Sequence, residues 1–191
     1  MEHKFKVINK SKLDSPKRRE VLPAPMILKT IGIERADIVA DIGCGTGYFT
    51  FPLSEAVGSK GLVYALDIET EMLKDIDRKM KEYATKNVFP VASKEYEFKL
   101  EDSSIGVALL CTVIHEVKMR EKFLKEVNRI LFQNGKIIII EWIKKESDYG
   151  PPTDHRLDKD KIKRNLTRTG FQDIEIMDFN EYFYIVSAKK K

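Results

Sequence analysis

A glycine-rich turn between an apolar strand and a helix is the feature that most constrains how this chain folds. Residues Ile38 to Ile42 are almost continuously apolar, which is typical of a strand buried on both faces of a parallel sheet. Gly43, Gly45 and Gly47 follow, and Tyr48 to Val57 then has helical periodicity. Because glycine has no Cβ, a ligand can lie against the backbone of this turn. The order of strand, turn and helix predicts a nucleotide-like ligand at the carboxyl edge of a parallel sheet.

The spacing of the glycines argues against a dinucleotide site. Such a site has the form G-x-G-x-x-G, whereas here the third glycine comes one residue early and Tyr48 stands in its place. Asp41, just before the turn, suits a cation better than a pyrophosphate. A second acid, Asp67, ends the predicted strand Gly61 to Asp67, 20 residues after Gly47. A carboxylate there can accept both hydroxyls of a ribose, and it would fit an NAD site equally well.

These residues resemble the first motif of the class I S-adenosylmethionine (SAM)-dependent methyltransferases, which has the form acid-x-G-x-G-x-G. SAM carries a sulfonium and an ammonium group but no phosphate, so an acid beside the turn suits it. The resemblance covers about Ile27 to Lys189 and implies SAM as the cofactor, with Asp67 at its ribose. The other cofactor-binding residues that it implies are Asp41, Gly43, Cys44, Gly45, Gly47, Ile68, Met72, Ser93, Glu95 and Cys111.

The rest of the chain continues to alternate between predicted helices and strands. Helices are predicted over Thr70 to Thr85, Met119 to Phe132 (stopped by Asn134-Gly135) and Asp158 to Thr169. Strands are predicted over Asn87 to Ala92, Ile105 to Thr112 and Lys136 to Ile143, and a final hairpin over Phe171 to Met177 and Tyr182 to Ala188. The resemblance implies an α/β, Rossmann-like methyltransferase fold with seven strands in the order 3-2-1-4-5-7-6, the last one antiparallel. We divide the chain into an N-terminal lid segment, residues 1–26, and a methyltransferase domain, residues 27–191.

One position departs from the pattern of the family. Many relatives place an acid after the third strand, where it contacts the adenine amine, but Lys94 occupies that position here. A lysine side chain has no acceptor for an amine hydrogen. Glu95 or a backbone carbonyl is left for this contact, with Ser93 beside it.

The end of the fourth strand is expected to carry the chemistry. Methyl transfer is an in-line displacement, so holding donor and acceptor in line supplies most of the catalysis. If the acceptor must lose a proton, His115 is the candidate base, since the ordinary pKa of histidine is about 6.5; alternatively, His115-Glu116 opens the next helix and covers the pocket. We predict that Glu141, at the end of the fifth strand, converges with His115 in the acceptor pocket, while Trp142 points to the opposite face of its strand.

The motifs of nucleic-acid methyltransferases are missing from this strand. Enzymes that methylate exocyclic amines have an acid or asparagine followed by Pro-Pro-aromatic there, but this strand ends Cys111-Thr112-Val113. Pro151-Pro152 follows the fifth strand instead, and the Pro-Cys pair of cytosine-C5 enzymes is replaced by Leu110-Cys111. The resemblance is therefore to the small-molecule branch, whose members are ubiquinone/menaquinone-biosynthesis-like or arsenite-methyltransferase-like. Two cysteines are fewer than the arsenite enzymes use, which disfavours that substrate.

The composition fits a globular protein without nucleic-acid partners. The chain has 191 residues, 42% hydrophobic and 34% charged, with a mild net charge of +4. Its lysines concentrate at the two ends, which is typical of solvated termini. It has no targeting pattern and no long apolar run, so we expect a cytoplasmic protein that does not insert into a membrane. The two cysteines have no metal-ligand spacing, and no metal is expected.

Two other functions remain open. An NAD-dependent oxidoreductase would use the same Asp67, but the chain lacks the third glycine of that fingerprint and a plausible tyrosine–lysine or cysteine–histidine pair. A non-catalytic SAM-binding module would keep the glycines but would need no polar pocket at His115 and Glu141. The favoured function is that of an SAM-dependent methyltransferase acting on a small-molecule acceptor. The sequence names neither the accepting atom nor the oligomeric state.

Overall fold

The computed structural model describes residues 7–191. The strands are β1 (Ile38–Ile42), β2 (Leu62–Asp67), β3 (Val88–Ala92), β4 (Ile105–Cys111), β5 (Leu131–Trp142), β6 (Phe171–Asp178) and β7 (Phe183–Lys190). The helices are α1 (Pro16–Val21), α2 (Ala24–Thr30), α3 (Thr50–Val57), α4 (Thr70–Glu82), α5 (Arg120–Ile130) and α6 (Lys159–Arg168), with short 3-10 helices over Val7–Asp14 and Thr153–His155. No helix within residues 7–191 is long and apolar enough to cross a membrane.

All seven strands belong to one sheet in the order β3-β2-β1-β4-β5-β7-β6. Strand β1 pairs in parallel with β2 on one side and β4 on the other, whereas β7 runs antiparallel between β5 and β6. The predicted strand order and the antiparallel last strand are therefore confirmed. The order along the sheet reverses between β1 and β4, and in open α/β sheets ligands bind at the carboxyl end of such a reversal.

Helices cover both faces of the sheet, as its apolar strands require. On one face the core includes Ile27 of α2, Leu53 of α3 and Ile76 of α4. On the other face it includes Leu124 of α5 and Ile162 of α6. All five side chains are fully buried. This two-sided core holds the carboxyl ends of β1, β2, β4 and β5 in fixed positions relative to one another.

Two helices end earlier than predicted, and the first of them, α4, ends at Glu82 and not at Thr85. The helix expected to reach Phe132 ends at Ile130, and β5 begins at the next residue, Leu131. The pairing of β5 with β4 then shifts in register between Leu131 and Lys136, and Asn134 has a φ of 62°. The Asn-Gly pair that signalled the end of the helix thus shapes an irregularity within a strand.

The N-terminal helices pack against the domain. Val21, Leu22 and Ala24 are buried and belong to the same core as α3. The side-chain amide of Asn180, in the β6–β7 turn, donates to the carbonyl of Val21 over 2.6 Å. At the other end of α1 the hydroxyl of Ser15 caps the helix. These contacts attach the C-terminal end of α1 to the domain beside the end of the sheet.

Candidate functional site

A cavity of about 1030 Å³ lies at the carboxyl edge of the sheet. Its walls come from α1 and from the loops that follow β1, β2, β3, β4 and β5. The predicted site residues that line it are Gly43, Cys44, Gly45, Asp67, Ile68, Met72, Ser93, Glu95, Cys111 and His115. Asp41, Gly47 and Glu141 lie outside this lining. One cavity thus brings the glycine turn, the acid of β2 and the histidine after β4 together.

Two other segments of the chain lie very close to the glycine turn. Gly43 and Gly45 have φ angles of 71° and 53°, in the left-handed region that favours glycine. A Cβ at Gly43 would lie 2.5 Å from Cγ2 of Val113, in the loop after β4. A Cβ at Gly45 would lie 3.0 Å from Cδ1 of Leu13, in the N-terminal segment. The missing side chains therefore let both segments close over the turn.

Asp67 joins the glycine turn to the start of α4. Its Oδ2 accepts a hydrogen bond from the backbone N–H of Gly45 and its Oδ1 from that of Glu69, each over 2.9 Å. Burial raises the pKa of Asp67, and the two backbone hydrogen bonds oppose this effect. Each carboxylate oxygen keeps a second lone pair for a ligand hydroxyl. The arrangement suits a pair of neighbouring hydroxyls, as in a ribose.

Asp41 and Gly47 support the turn from beneath. Asp41 is 2% exposed, and its Oδ2 accepts a hydrogen bond from the hydroxyl of Thr50 over 2.6 Å. Burial raises the pKa of Asp41 to about 7. A Cβ at Gly47 would lie 2.7 Å from both Ile76 and Phe51, so this glycine allows α3 and α4 to pack closely. The structure therefore places both residues outside the lining of the cavity.

The loop after β3 forms the predicted adenine end of the cavity. The backbone N–H of Ser93 donates to the carbonyl at the end of β2 over 3.0 Å. The ammonium group of Lys94 lies 2.8 Å from Glu97. The carboxylate of Glu95 accepts a hydrogen bond from the hydroxyl of Tyr96 over 2.8 Å. All three consecutive residues line the cavity, and the side chain of Lys94 is paired with an acid there.

His115 is held by a buried carboxylate. Its Nδ1 lies 2.9 Å and 3.0 Å from the two carboxylate oxygens of Glu141, whose side chain is fully buried. Because a carboxylate accepts, the N–H of the ring is fixed at Nδ1 and the lone pair of the neutral ring at Nε2. Burial lowers the pKa of His115, but Glu141 and then Glu116 outweigh burial, and the pKa is raised. The pair has the geometry of a base and the group that orients it.

Glu141 and Trp142 differ in position from what the sequence suggested. Glu141 lies behind His115, and its Oε2 also accepts from the backbone N–H of Trp142 over 3.1 Å. Glu141 therefore does not line the cavity itself, and it can influence a ligand there only by way of His115. Trp142, which was expected on the opposite face of the strand from Glu141, lines the cavity. The alternation of side chains along β5 is as predicted, but the tryptophan is on the cavity side.

The loop that carries His115 contains a strained backbone conformation and is held by several hydrogen bonds. The sequence did not indicate either feature. Thr112, at the end of β4, has a φ of 57°, an uncommon conformation for a β-branched residue. Its N–H donates to the carbonyl of Ile140 over 2.8 Å, so pairing with β5 holds the bend. Arg120 donates to the carbonyls of Ile114 and His115 over 3.1 Å and 3.3 Å. Strain of this kind is concentrated at functional sites.

A single arginine holds the wall opposite the glycine turn. Arg156 is 2% exposed, and the centre of its guanidinium group lies 5.6 Å from the ring centroid of Trp142. Its donors bind, over 2.8 to 3.2 Å, the carbonyls of Ile143, Lys145, Tyr149 and Pro151 and the hydroxyl of Ser147. The rings of Trp142 and Tyr149 meet edge to face at 5.3 Å. This wall gives the cavity an aromatic side.

A second buried arginine lines the cavity without an acidic partner. Arg18 of α1 is 7% exposed, its Nη2 lies 3.5 Å from Sγ of Cys111, and its guanidinium centre lies 5.1 Å from the ring centroid of Tyr48. Within residues 7–191 no acidic side chain forms an ion pair with it, and its Nε has no hydrogen-bond partner. The hydroxyl of Thr46, in the glycine turn, is likewise buried and has no hydrogen-bond partner among the described residues. The sequence did not reveal this arginine, because a run of charges usually lies in solvent.

The fold and this site define a class of enzyme. A seven-stranded sheet in this order, with a glycine turn after β1 and an acid at the end of β2, is that of a class I SAM-dependent methyltransferase. The model of the ubiE/COQ5 methyltransferase family matches residues 17–150. The chain belongs to this family.

Individual relatives agree with this placement. The demethylmenaquinone methyltransferase of Lactococcus lactis is 34% identical over 103 residues, which are 54% of this chain and 41% of that protein. That of Alkalihalophilus pseudofirmus is 30% identical over 114 residues, 60% of this chain and 48% of that protein. The match thus spans less than half the length of these two relatives. The crystal structure of an SAM-dependent methyltransferase from Aquifex aeolicus is 30% identical, with a TM-score of 0.94, and covers 98% of this chain and 100% of that one.

The residues around the cavity fit SAM. Asp67 offers acceptors for a pair of hydroxyls, and Ile68 and Met72 offer apolar walls beside it. Arg18 and Thr46 present buried polar atoms that lack partners within residues 7–191. The comparisons confirm the predictions of a methyltransferase and of SAM as its cofactor, and they favour this function over an NAD-dependent oxidoreductase or a non-catalytic module.

Proposed function

We propose that this enzyme transfers the methyl group of SAM to a hydroxylated aromatic ring of the quinol type. The observation that carries the proposal is the His115–Glu141 pair on the wall of the cavity that also contains the glycine turn and Asp67. A non-catalytic binding module would have no need of an oriented base at this point. The names of the curated relatives support a quinone-related acceptor.

The proposed chemistry follows from the position of the histidine. SAM supplies an electrophilic methyl group when it is bound. Nε2 of His115 would accept the proton of a ring hydroxyl, and the electron pair that remains on the acceptor would attack the methyl carbon. The bond from that carbon to the sulfonium sulfur would break at the same time, and S-adenosylhomocysteine would leave. Glu141 fixes the tautomer and stabilises the imidazolium that results. The histidine thus acts as the base, and Glu141 positions it.

The cavity wall suits an aromatic acceptor. The rings of Trp142 and Tyr149 form one side, and Arg156 fixes the loop that carries Tyr149. Lys144 and Lys161 also line this part of the cavity, together with Asp148 and Asp154. The wall therefore carries both signs of charge. Aromatic contact, rather than net charge, is what this side offers a ligand.

Two measurements test the proposed function. Calorimetric titration is expected to show binding of SAM and no binding of NAD. With methyl-labelled SAM, we expect label to enter a reduced 1,4-naphthoquinone bearing a short prenyl chain but not the oxidised form, because only the reduced ring has a hydroxyl proton to give. A metabolite extract provides a second source of acceptors. Failure to bind SAM, or to label the reduced ring or any component of the extract, would contradict the proposal.

We also propose that residues 1–26 act as a lid over the cofactor. Residues 1–6 lie outside the described part of the chain. Leu13 lies against Gly45, and Lys79 of α4 donates to the carbonyl of Thr46 over 2.9 Å while also contacting Asp14 at 3.5 Å. Val21, Leu22 and Ala24 are buried in the core, so the part able to move ends before them. Opening this lid would expose the glycine turn.

The lid proposal predicts a change in proteolysis. Tryptic cleavage between Lys10 and Arg19 is expected to slow when SAM or its demethylated product S-adenosylhomocysteine is added, because a bound ligand favours the closed segment. Cleavage after Lys60 is the control, since this exposed residue precedes β2 at the opposite edge of the sheet. Equal digestion of the N-terminal segment with and without ligand would argue against a lid.

A further inference from the structure

The unpaired charge of Arg18 points to an anionic group of the ligand. A guanidinium group is always protonated in proteins, and a buried charge without a partner is strongly unfavourable. Arg18 is nevertheless 7% exposed and lines the cavity. A cationic side chain in this setting is stabilised when a ligand brings a carboxylate or phosphate to it.

The protein groups nearest Arg18 do not supply that negative charge. Burial raises the pKa of Cys111 to about 12, so the sulfur that Arg18 touches is a neutral thiol at pH 7. The hydroxyl of Tyr48 donates to the carbonyl of Leu22 over 2.7 Å and stays protonated. Asp41 lies near enough for the charge of Arg18 to oppose the rise of its pKa, but its carboxylate accepts from Thr50 and forms no ion pair with Arg18 within the described residues.

The position of Arg18 indicates which ligand carries the anion. Tyr48 follows the glycine turn directly, and Cys111 ends β4, so the arginine lies where these two parts of the SAM site meet. Asp67, which suits the ribose, contacts the same turn through Gly45. We propose that Arg18 binds the carboxylate of the methionine part of SAM and thereby makes the site selective for ligands that have this carboxylate. The inference rests on the proposed SAM site and adds a specificity-determining residue to it.

Binding of two matched ligands tests this inference without any methyl transfer. S-adenosylhomocysteine and its decarboxylated analogue S-adenosyl-3-thiopropylamine differ only in the carboxylate. We expect the wild-type protein to bind the first at least about tenfold more tightly in calorimetric titration, which is the size of effect typical of a charge-assisted hydrogen bond. Arg18→Gln should remove this preference while binding the decarboxylated analogue as the wild type does.

The control is Lys17→Gln, which removes the same charge from the exposed neighbouring residue, 3.2 Å from Glu20. It should retain the full preference. If Arg18→Gln is not folded, as judged by loss of binding to the decarboxylated analogue, Arg18→Lys replaces it and should reduce the preference several-fold, because an ammonium group lacks the planar pair of donors.

Each outcome has a separate meaning. A wild-type protein that binds both ligands equally, or an Arg18 variant that keeps the full preference, overturns the role of Arg18. An Arg18 variant that keeps the preference but binds the aromatic acceptor more weakly also overturns it and assigns the anion to the acceptor. A wild-type protein that binds neither ligand contradicts the proposed function itself, so the two failures are distinguishable.

Discussion

Replacing Asp67 with alanine is expected to weaken the binding of SAM by about 3 kcal/mol, which is roughly 150-fold. The loss has two sources. The carboxylate would no longer accept the hydroxyls of the ribose, and it would no longer hold the backbone N–H groups of Gly45 and Glu69 at 2.9 Å. The second loss frees the glycine turn that forms the floor of the site. Calorimetric titration with S-adenosylhomocysteine measures the change directly.

Two variants make this test specific. Asp77→Ala removes the same charge from the exposed side of α4 and should leave the affinity unchanged. Asp67→Asn keeps the shape of the side chain but has a single carbonyl oxygen to accept with, so its affinity should fall between those of wild type and Asp67→Ala. Wild-type affinity in a folded Asp67→Ala protein would show that the ligand lies elsewhere.

The fold was predictable because its signals are local or periodic. The strand order was inferred from a resemblance based on the glycine turn and on five predicted strands followed by a hairpin. Most strands were predicted from short apolar runs, and the hairpin from alternating apolar and polar residues. The misplaced helix end at Ile130 arose because the Asn134-Gly135 pair that usually ends a helix also favours a bulge in a strand. Turn chemistry indicates a change of direction without saying which element contains it.

Residues that lie at the ends of strands could be assigned to the candidate site from the sequence. Residues whose position depends on how helices and strands pack against one another could not. Gly45, Asp67 and His115 line one cavity because parallel strands bring their carboxyl ends to one edge. The burial of Glu141 behind His115 depends on which face of β5 is turned to the cavity, and period-2 alternation leaves that choice open. The buried position of Arg18 depends on how α1 packs against the glycine turn, which a sequence rich in charges does not reveal.

His115→Ala is expected to reduce turnover by about 100-fold to 1000-fold, the range usual for loss of a positioned base. The affinity for S-adenosylhomocysteine should stay within a few-fold of wild type, because Asp67 and the glycine turn are unchanged. Labelled methyl transfer to the reduced naphthoquinone under saturating SAM measures the effect. Full turnover in this variant would remove the histidine from the chemistry and place the acceptor at another part of the cavity.

The pH dependence of turnover distinguishes the proposed dyad from a histidine that only covers the pocket. A base must be neutral to accept a proton, and the pKa of His115 is raised because Glu141 outweighs burial. Wild-type turnover should therefore rise with pH through a midpoint above the ordinary histidine value of about 6.5. Glu141→Gln removes the charge that raises this pKa, so the midpoint should move to lower pH. The maximal turnover should also fall, because the ring of His115 is no longer oriented.

Glu175→Gln, which neutralises an exposed acid on β6, is the control and should change neither the midpoint nor the maximal turnover. An unchanged midpoint in Glu141→Gln would leave His115 as a wall of the cavity and not its base.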